Sequence, residues 1–406
     1  MPLRKAMFWV HLVCGVATGL VILMMSVTGV VLTYQKQMTE WSDRAYWTAP
    51  AVEGKKAPLS EVVRRAESYA RGAADPGDDS DEARVASVTL WSEADAPVAA
   101  SIGGGRTLYL DPSTGEVRGE NTTAVRAFLS WNVRMHRWFG ATGDGRATAR
   151  AITGWSNLVF LFLVLSGLYL WIPKRWTPQH FRPILLFNRG ARGKARDFNW
   201  HNVFGFWMAI PLALVVGSAT VISFPWASDL AYRVAGDVPP NRAAAPAPRP
   251  AVSPAGSAGA LAAPAPAALP EPPAPFEPWR LDALVEPAVR RVEGWRTLTI
   301  SIPDDVGDAV AVRIDRGWGG EPQKRHTVRY DALSGEELAF ESFEDQSRGR
   351  RFRTFLRFAH TGEYFGVWGQ TVAGFASLAG VFLVWTGLAL AWRRLVVQPL
   401  RRRADA

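Results

Sequence analysis

The chain has 406 residues, 48% of them hydrophobic, a formal net charge of +9 and one cysteine. A lone thiol, Cys14, excludes a disulfide framework and a cysteine cage for zinc or an iron–sulfur cluster. The positive charge gathers at the ends of apolar runs, which points to anionic lipid headgroups and away from nucleic acid.

Four runs reach the roughly 20 residues that a hydrocarbon core of about 30 Å demands: 7–34, 149–172, 201–224 and 367–392. The first follows Arg4 and Lys5 but is too long for a secretory h-region and lacks a small-residue cleavage site, so it is expected to be retained. Between the second and third runs lies a basic loop, 173–200, with Lys174, Arg175, Arg182, Arg189, Arg192, Lys194 and Arg196. After the fourth comes a basic tail, 393–406, with Arg393, Arg394 and Arg401 to Arg403. Positive-inside bias puts both, and both termini, in the cytoplasm of a multi-pass protein of the bacterial inner membrane. Two large segments then fall outside, 35–148 and 225–366; within the second, 239–275 is almost all Ala, Pro, Gly and Ser and is expected to stand outside the fold.

The chain reads as one unit written twice. Runs one and three carry His-x-x-x-Gly, from His11 to Gly15 and from His201 to Gly205. Helical patterns, Leu59 to Ala70 and Leu281 to Val292, precede short alternating strands, which end in Asp-x-x-x-Gly-Glu turns at Asp111 to Glu116 and Asp331 to Glu336. Each turn leads to an aromatic, basic segment with a histidine: His136 in 123–148 and His360 in 346–366. Runs two and four share a glycine pair, Gly154 with Gly167 and Gly374 with Gly387, the second preceded by Ser166 or Thr386; small residues let helices approach closely in lipid. The expected fold is membrane α+β: a four-helix transmembrane bundle with two extracytoplasmic α/β domains, 35–122 and 225–345, in a parallel internal duplication.

A pseudo-twofold axis along the membrane normal pairs His11 with His201 at the cytoplasmic end, and His136 with His360 at the other. Imidazole is a common axial ligand of haem iron, and bundle interiors hold cofactors between facing helices. Two histidines per iron suit electron transfer, and two levels imply two haems. Against this stands the plainer reading of an interfacial histidine satisfied by water or a carbonyl; recurrence in matched pairs weighs against it. His180 and His326 have no such counterparts and are read as structural or surface residues. Arg134, Arg137, Arg353 and Arg357 flank the outer pair and are candidates for haem propionates or, equally, for snorkelling arginines of interfacial helices. Trp9, Trp171, Trp368 and Trp392 read as an interfacial belt. Neither a dinucleotide nor a phosphate-loop glycine motif occurs, so electrons must come from a cytoplasmic donor or membrane quinol.

Several stretches together resemble the PepSY-associated transmembrane family, which takes in PiuB-like iron-regulated membrane proteins and FoxB-type ferrisiderophore reductases. They are the span with His11, Tyr109-Leu110-Asp111-Pro112-Ser113-Thr114-Gly115-Glu116, Met135-His136-Arg137-Trp138, Asn199-Trp200-His201-Asn202 and His360-Thr361-Gly362-Glu363-Tyr364-Phe365-Gly366. The resemblance implies two periplasmic PepSY domains, haem b on His11, His201, His136 and His360, and reduction of a ferric siderophore held between the domains. Two other functions are carried alongside: electron transfer to another periplasmic acceptor or quinone, and a membrane-anchored PepSY regulator of periplasmic peptidases without redox activity. Outer-sphere transfer needs no acid, base or nucleophile, so no catalytic side chain is expected.

Overall fold

A computed structural model describes residues 2–47, 56–72, 83–121, 123–173, 177–240, 281–303 and 309–400. The Pro/Ala-rich insert from 241 onward, Lys174, Arg175 and Arg401 to Arg403 lie outside the described residues. The first half runs α1 (Pro2–Leu32), α2 (Gln35–Asp43), α3 (Leu59–Gly72), β1 (Val85–Trp91), β2 (Val98–Ile102), β3 (Thr107–Leu110), β4 (Val117–Glu120), α4 (Ala124–Trp138) and α5 (Gly145–Trp171). A short α6 (Pro178–Leu185) leads to α7 (Gly193–Trp207), α8 (Ala209–Ser223), α9 (Pro225–Val234), α10 (Leu281–Arg291), β5 (Thr297–Ser301), β6 (Val310–Asp315), β7 (Arg325–Tyr330), β8 (Glu337–Ser342), α11 (Arg348–Thr361) and α12 (Gly366–Trp392).

Three helices are long and apolar enough to cross a membrane: α1, α5 and the one containing α12. The expected straight span over 201–224 is not straight: α7 and α8 meet at 69°. Proline lacks an amide hydrogen and its ring clashes with the carbonyl four residues back; Pro211 therefore disrupts the helix at Trp207, and Met208 takes φ −99°, ψ 3°. Ten residues after His11 stands Val21, so α1 continues unbroken. Helices α2 and α9, which the sequence pattern did not single out, each follow a span directly.

Both α1 and α8 touch α5 and α12, which closes a ring of helices around a common interior. Outside that ring, Leu20, Ile210 and Trp385 stand exposed, as lipid-facing residues must. Small residues set the α1–α12 seam: a methyl at Gly380 would lie 2.7 Å from Ser26 Oγ, and one at Gly374 would lie 2.8 Å from Thr33 Cγ2. Asn157 on α5 donates to Val216 O and Thr220 Oγ1 on α8 inside the ring, both at 3.0 Å. At the α6 end, the loop side, Arg4 donates to Leu170 O and Ile172 O at 2.6 and 2.9 Å, capping the last carbonyls of α5. Buried Asp197 is held there between Arg196 and Arg393 at 3.0 and 2.9 Å.

On the opposite, sheet side the strands form one antiparallel sheet in the order β4-β3-β2-β1-β5-β6-β7-β8. The two domains expected from sequence are thus joined edge to edge. Ser87 pairs with Ser301, Thr89 with Thr299 and Trp91 with Thr297, and the Thr89 and Thr299 hydroxyls meet at 2.9 Å. An open strand edge invites pairing. Both β1 and β5 are rich in Val, Ile, Leu and Thr and contain no charge or proline, so each is the partner the other lacks. This ladder closes the seam where a chelate was expected to sit.

Helices α3 and α10 cover one face of the sheet, burying Val62, Val63 and Ala66 with Leu281, Leu284 and Ala288 against Val88, Leu108, Leu298, Ile300 and Val312. Each such Leu or Ile contributes about 1.5–3 kcal/mol by leaving water. Both Asp-x-x-x-Gly-Glu turns close in the same way. Asp111 Oδ1 accepts from the Ser113 and Thr114 amides at 2.8 and 3.0 Å, and Asp331 Oδ1 from Leu333 and Ser334 at 2.9 and 2.7 Å. Gly115 and Gly335 both take φ +72°. Burial works against the Asp111 carboxylate, but Arg118 and the two amides outweigh it and hold its pKa below the ordinary value. That stabilisation is in place above the unfolded carboxylate range and is lost as pH falls through the depressed value.

The other face meets the membrane part through α2. Asp43 accepts from Tyr109 Oη at 2.7 Å and from Arg126 Nε on α4 at 3.0 Å, while Tyr46 stacks on Tyr109 at 4.8 Å. Gly119 makes room for that stack, since a methyl there would lie 2.2 Å from Tyr46. Burial and the Asp43 carboxylate raise the Tyr109 pKa, so the phenol stays neutral in the folded protein. The Asp43→Ala protein should lose on the order of 3 kcal/mol, because the Arg126 charge is left without its partner. Chemical denaturation of the purified protein measures this, with Tyr109→Phe expected to cost about 1 kcal/mol.

Candidate functional site

The four paired histidines all reach the interior of the helix ring, each by a different local device. His11 lies on the straight α1 and His201 on the α7 arm of the bent span. His136 and His360 close the last turns of α4 and α11, which lie on the sheet side and pack on α1 and α8. Both helices stop in left-handed caps, at Phe139 with φ 53° and at Gly362 with φ 76°. Gly362 is doubly constrained: a methyl there would also lie 2.2 Å from the Gly369 carbonyl oxygen, where α12 begins.

Every one of the four rings is held by Nδ1 against a neighbouring helix of its own half. His11 meets Ser166 Oγ on α5 at 2.8 Å, and His201 meets Thr386 Oγ1 on α12 at 2.9 Å. His136 meets Thr28 Oγ1 on α1 at 2.9 Å, and His360 meets the Val215 carbonyl on α8 at 2.9 Å. A carbonyl only accepts, so His360 carries its proton on Nδ1. The three hydroxyls also lie within hydrogen-bond reach of helix carbonyls, Ser166 of Leu163 O, Thr386 of Phe382 O and Thr28 of Met24 O, at 3.3, 2.6 and 2.7 Å. In all four rings Nε2 has no hydrogen-bond partner among the described residues.

Glycine beside each hydroxyl gives three of the rings their space. A methyl at Gly167 would sit 3.5 Å from His11 Cε1, one at Gly387 3.4 Å from His201 Cε1, and one at Gly29 3.7 Å from His136 Cε1. The Ser/Thr-Gly steps thus seat imidazoles, whereas the sequence suggested helix contact alone. Gly374 keeps the helix-contact role.

His136 and His360 face each other with ring centroids 6.4 Å apart and planes at 52°. Two imidazoles on opposite sides of one metal, with bonds of about 2.0–2.1 Å, place ring centroids roughly 6.3 Å apart. His11 and His201 lie close enough for their charges to interact. Along α1, His11 and the Thr28 that holds His136 are 17 positions apart in number, about 25 Å of helix rise. The two levels are distinct.

Among the described residues no set of three or more His, Cys, Asp or Glu side chains converges on one point. A bare cation would find two nitrogens at each level; a porphyrin brings the four equatorial nitrogens itself, and the pair of imidazoles matches its two axial positions. The residues present fit haem.

Other expected participants separate. His326 stacks on Phe340 at 5.5 Å within the sheet, as a structural residue. The side chain of His180 lies outside the described residues. Arg353 is engaged with Ser228 Oγ at 2.9 Å. Trp9, Trp368 and Trp392 are exposed as a belt requires, but Trp171 is stacked on Phe206 at 4.3 Å. A cavity of about 120 Å³ between α2 and the start of α12, lined by Lys36, Glu40, Glu321 and Glu363, is smaller than the roughly 300 Å³ an organic ligand of drug size fills.

The family model described as PepSY-associated TM region matches residues 8–394, and the chain belongs to that family, a family of membrane proteins. No curated protein matches the chain.

Proposed function

We propose that this PepSY-associated membrane protein carries electrons across the bacterial inner membrane to a ferric siderophore in the periplasm. In this reading the chain is two copies of one unit in parallel orientation. Four spans, the third bent, keep both termini and the loop side in the cytoplasm, and the sheet side is periplasmic. His11 with His201, and His136 with His360, each hold a haem b. The observation that carries the reading is the shared geometry: four Nδ1 atoms engaged by neighbouring helices, four Nε2 atoms with no hydrogen bond among the described residues, and His136 facing His360 with ring centroids 6.4 Å apart. Held between these imidazoles, haem would supply one-electron transfer. Around it, the hydroxyls and carbonyls orient the ligands, and the glycines clear their approach. One electron delivered to the chelate turns Fe(III) into Fe(II), which hard oxygen ligands hold less strongly. The donor is a cytoplasmic reductant or membrane quinol.

A reduced-minus-oxidised spectrum of the purified protein should show a b-type signal, and adding Fe(III)-siderophore to the reduced, desalted protein should reoxidise it while a ferrous chelator traps Fe(II). A missing haem signal would favour a PepSY anchor that regulates peptidases. A haem that ignores the chelate would favour another periplasmic acceptor or quinone. Thr386→Val, which keeps the shape and removes the hydroxyl that holds His201, should weaken haem binding at the loop-side level about 10–100-fold, with Thr386→Ser near wild type; haem titration of protein made without haem reads the difference.

A further inference from the structure

The sheet-side histidines are bordered by an arginine cluster that no acid neutralises. Arg137, next to His136, and Arg146, at the start of α5, lay their guanidinium carbons 4.5 and 3.7 Å from the centroid of one indole, Trp138. Arg150, one turn along α5, and Arg357, three residues before His360, lie close enough for their charges to act on Arg137. Among the described residues none of the four forms an ion pair, and Asp144, the nearest acid in the chain, makes no side-chain cap to α5. Other sheet-side arginines do have acidic partners: Arg106 with Glu120, Arg118 with Asp111, Arg296 with Glu93 and Arg325 with Asp315.

Three costs coincide at this cluster. Like charges crowd one indole, Arg146 stands at the positive end of a helix dipole, and all lie on the side of the membrane that topology normally strips of arginine. A bound anion offsets all three. The matching positions at the start of α12, counted from the Gly154–Gly374 pair, hold Gly366 and Gln370, and Gln370 is spent on Thr33 O and Gln37. The positive charge is therefore one-sided, although the histidine pair is nearly symmetric.

We infer that Arg137, Arg146, Arg150 and Arg357 seat the two propionate carboxylates of the sheet-side haem, and so choose one of the two orientations that a twofold pair of histidines would otherwise allow. This rests on the haem reading above. Guanidinium and carboxylate pair through two parallel hydrogen bonds, which makes the seat geometric as well as electrostatic. Arg146 and Arg150 are its least expected members, since they belong to a different helix from either histidine.

The test uses full-length His11→Ala protein produced without haem, so that only the sheet-side level is read. It is titrated with hemin and with hemin dimethyl ester, which lacks the carboxylates. Hemin should bind about tenfold or more tightly than the ester. With Arg146→Gln and Arg150→Gln added, hemin affinity should fall by a similar factor and the preference for it should vanish, while the Arg→Lys pair retains part of it. A preference that survives the Gln substitutions overturns the inference. So does an unchanged hemin affinity accompanied by weaker binding to anionic-lipid vesicles, which assigns the arginines to lipid phosphate. If wild type binds neither porphyrin, the haem reading falls, and this inference with it.

Discussion

His360→Ala protein is expected to retain about one haem per chain where wild type holds about two, and His136→Ala should give the same result. The two imidazoles stand 6.4 Å apart from helices of different halves, so either loss leaves one axial ligand against a hole. His11→Ala and His201→Ala should remove the other haem. Combination decides whether the levels are independent: a double change within one level should match either single change, and one change from each level should empty the protein. Haem per chain measured as the pyridine complex, alongside circular dichroism and gel filtration, reads this. A folded single variant with no haem would sink the two-level arrangement.

The largest expected loss of stability follows from one methyl group. Gly362→Ala places a side chain at φ 76° and within 2.2 Å of the Gly369 carbonyl, so both the left-handed cap of α11 and the start of α12 must move. The cost should be on the order of 3 kcal/mol or more. Because Gly362 follows His360 by two residues, the sheet-side haem should be lost while the loop-side haem stays. Gly236→Ala is the control: its φ is 74°, but nothing lies within 4 Å of the added carbon, so about 1 kcal/mol of backbone strain is all it should show. Thermal unfolding of the three proteins ranks them.

Much of this was legible before any fold was known. Hydrophobic length announced the spans, period-two alternation the strands, and Asp with Gly the two turns. Recurrence at fixed spacing drew four of six histidines into pairs that the structure brings to two levels. What the sequence concealed depends on space rather than pattern. Pro211 was visible, but its effect on a membrane span depends on whether neighbouring helices accept the kink. The β1–β5 junction joins residues over 200 positions apart, and no local pattern tells a strand with an open edge from one that finds its partner in the other half. Ser166-Gly167 and Thr386-Gly387 looked like packing residues, because small size serves a facing helix and a facing imidazole equally well. The useful signal was the hydroxyl before each glycine. Arg146 and Arg150 stand ten or more positions from His136 in the chain and approach Trp138 and Arg137 from another helix, so chain proximity to a histidine does not mark them.

The shared sheet has a mechanical meaning for the sheet-side histidine pair. Strands β4 and β8 are its outermost members, and α4 and α11 leave from their ends, so His136 and His360 are the tips of a caliper whose beam is eight strands of continuous hydrogen bonding. At roughly 4.8 Å per strand the beam is about 34 Å wide, yet it must set a gap of a few ångströms at its tips. Two separate domains could rock and let the jaws drift; a single pleated beam holds the opening fixed, and the proposed electron carrier would need that rigid grip through its changes of oxidation state.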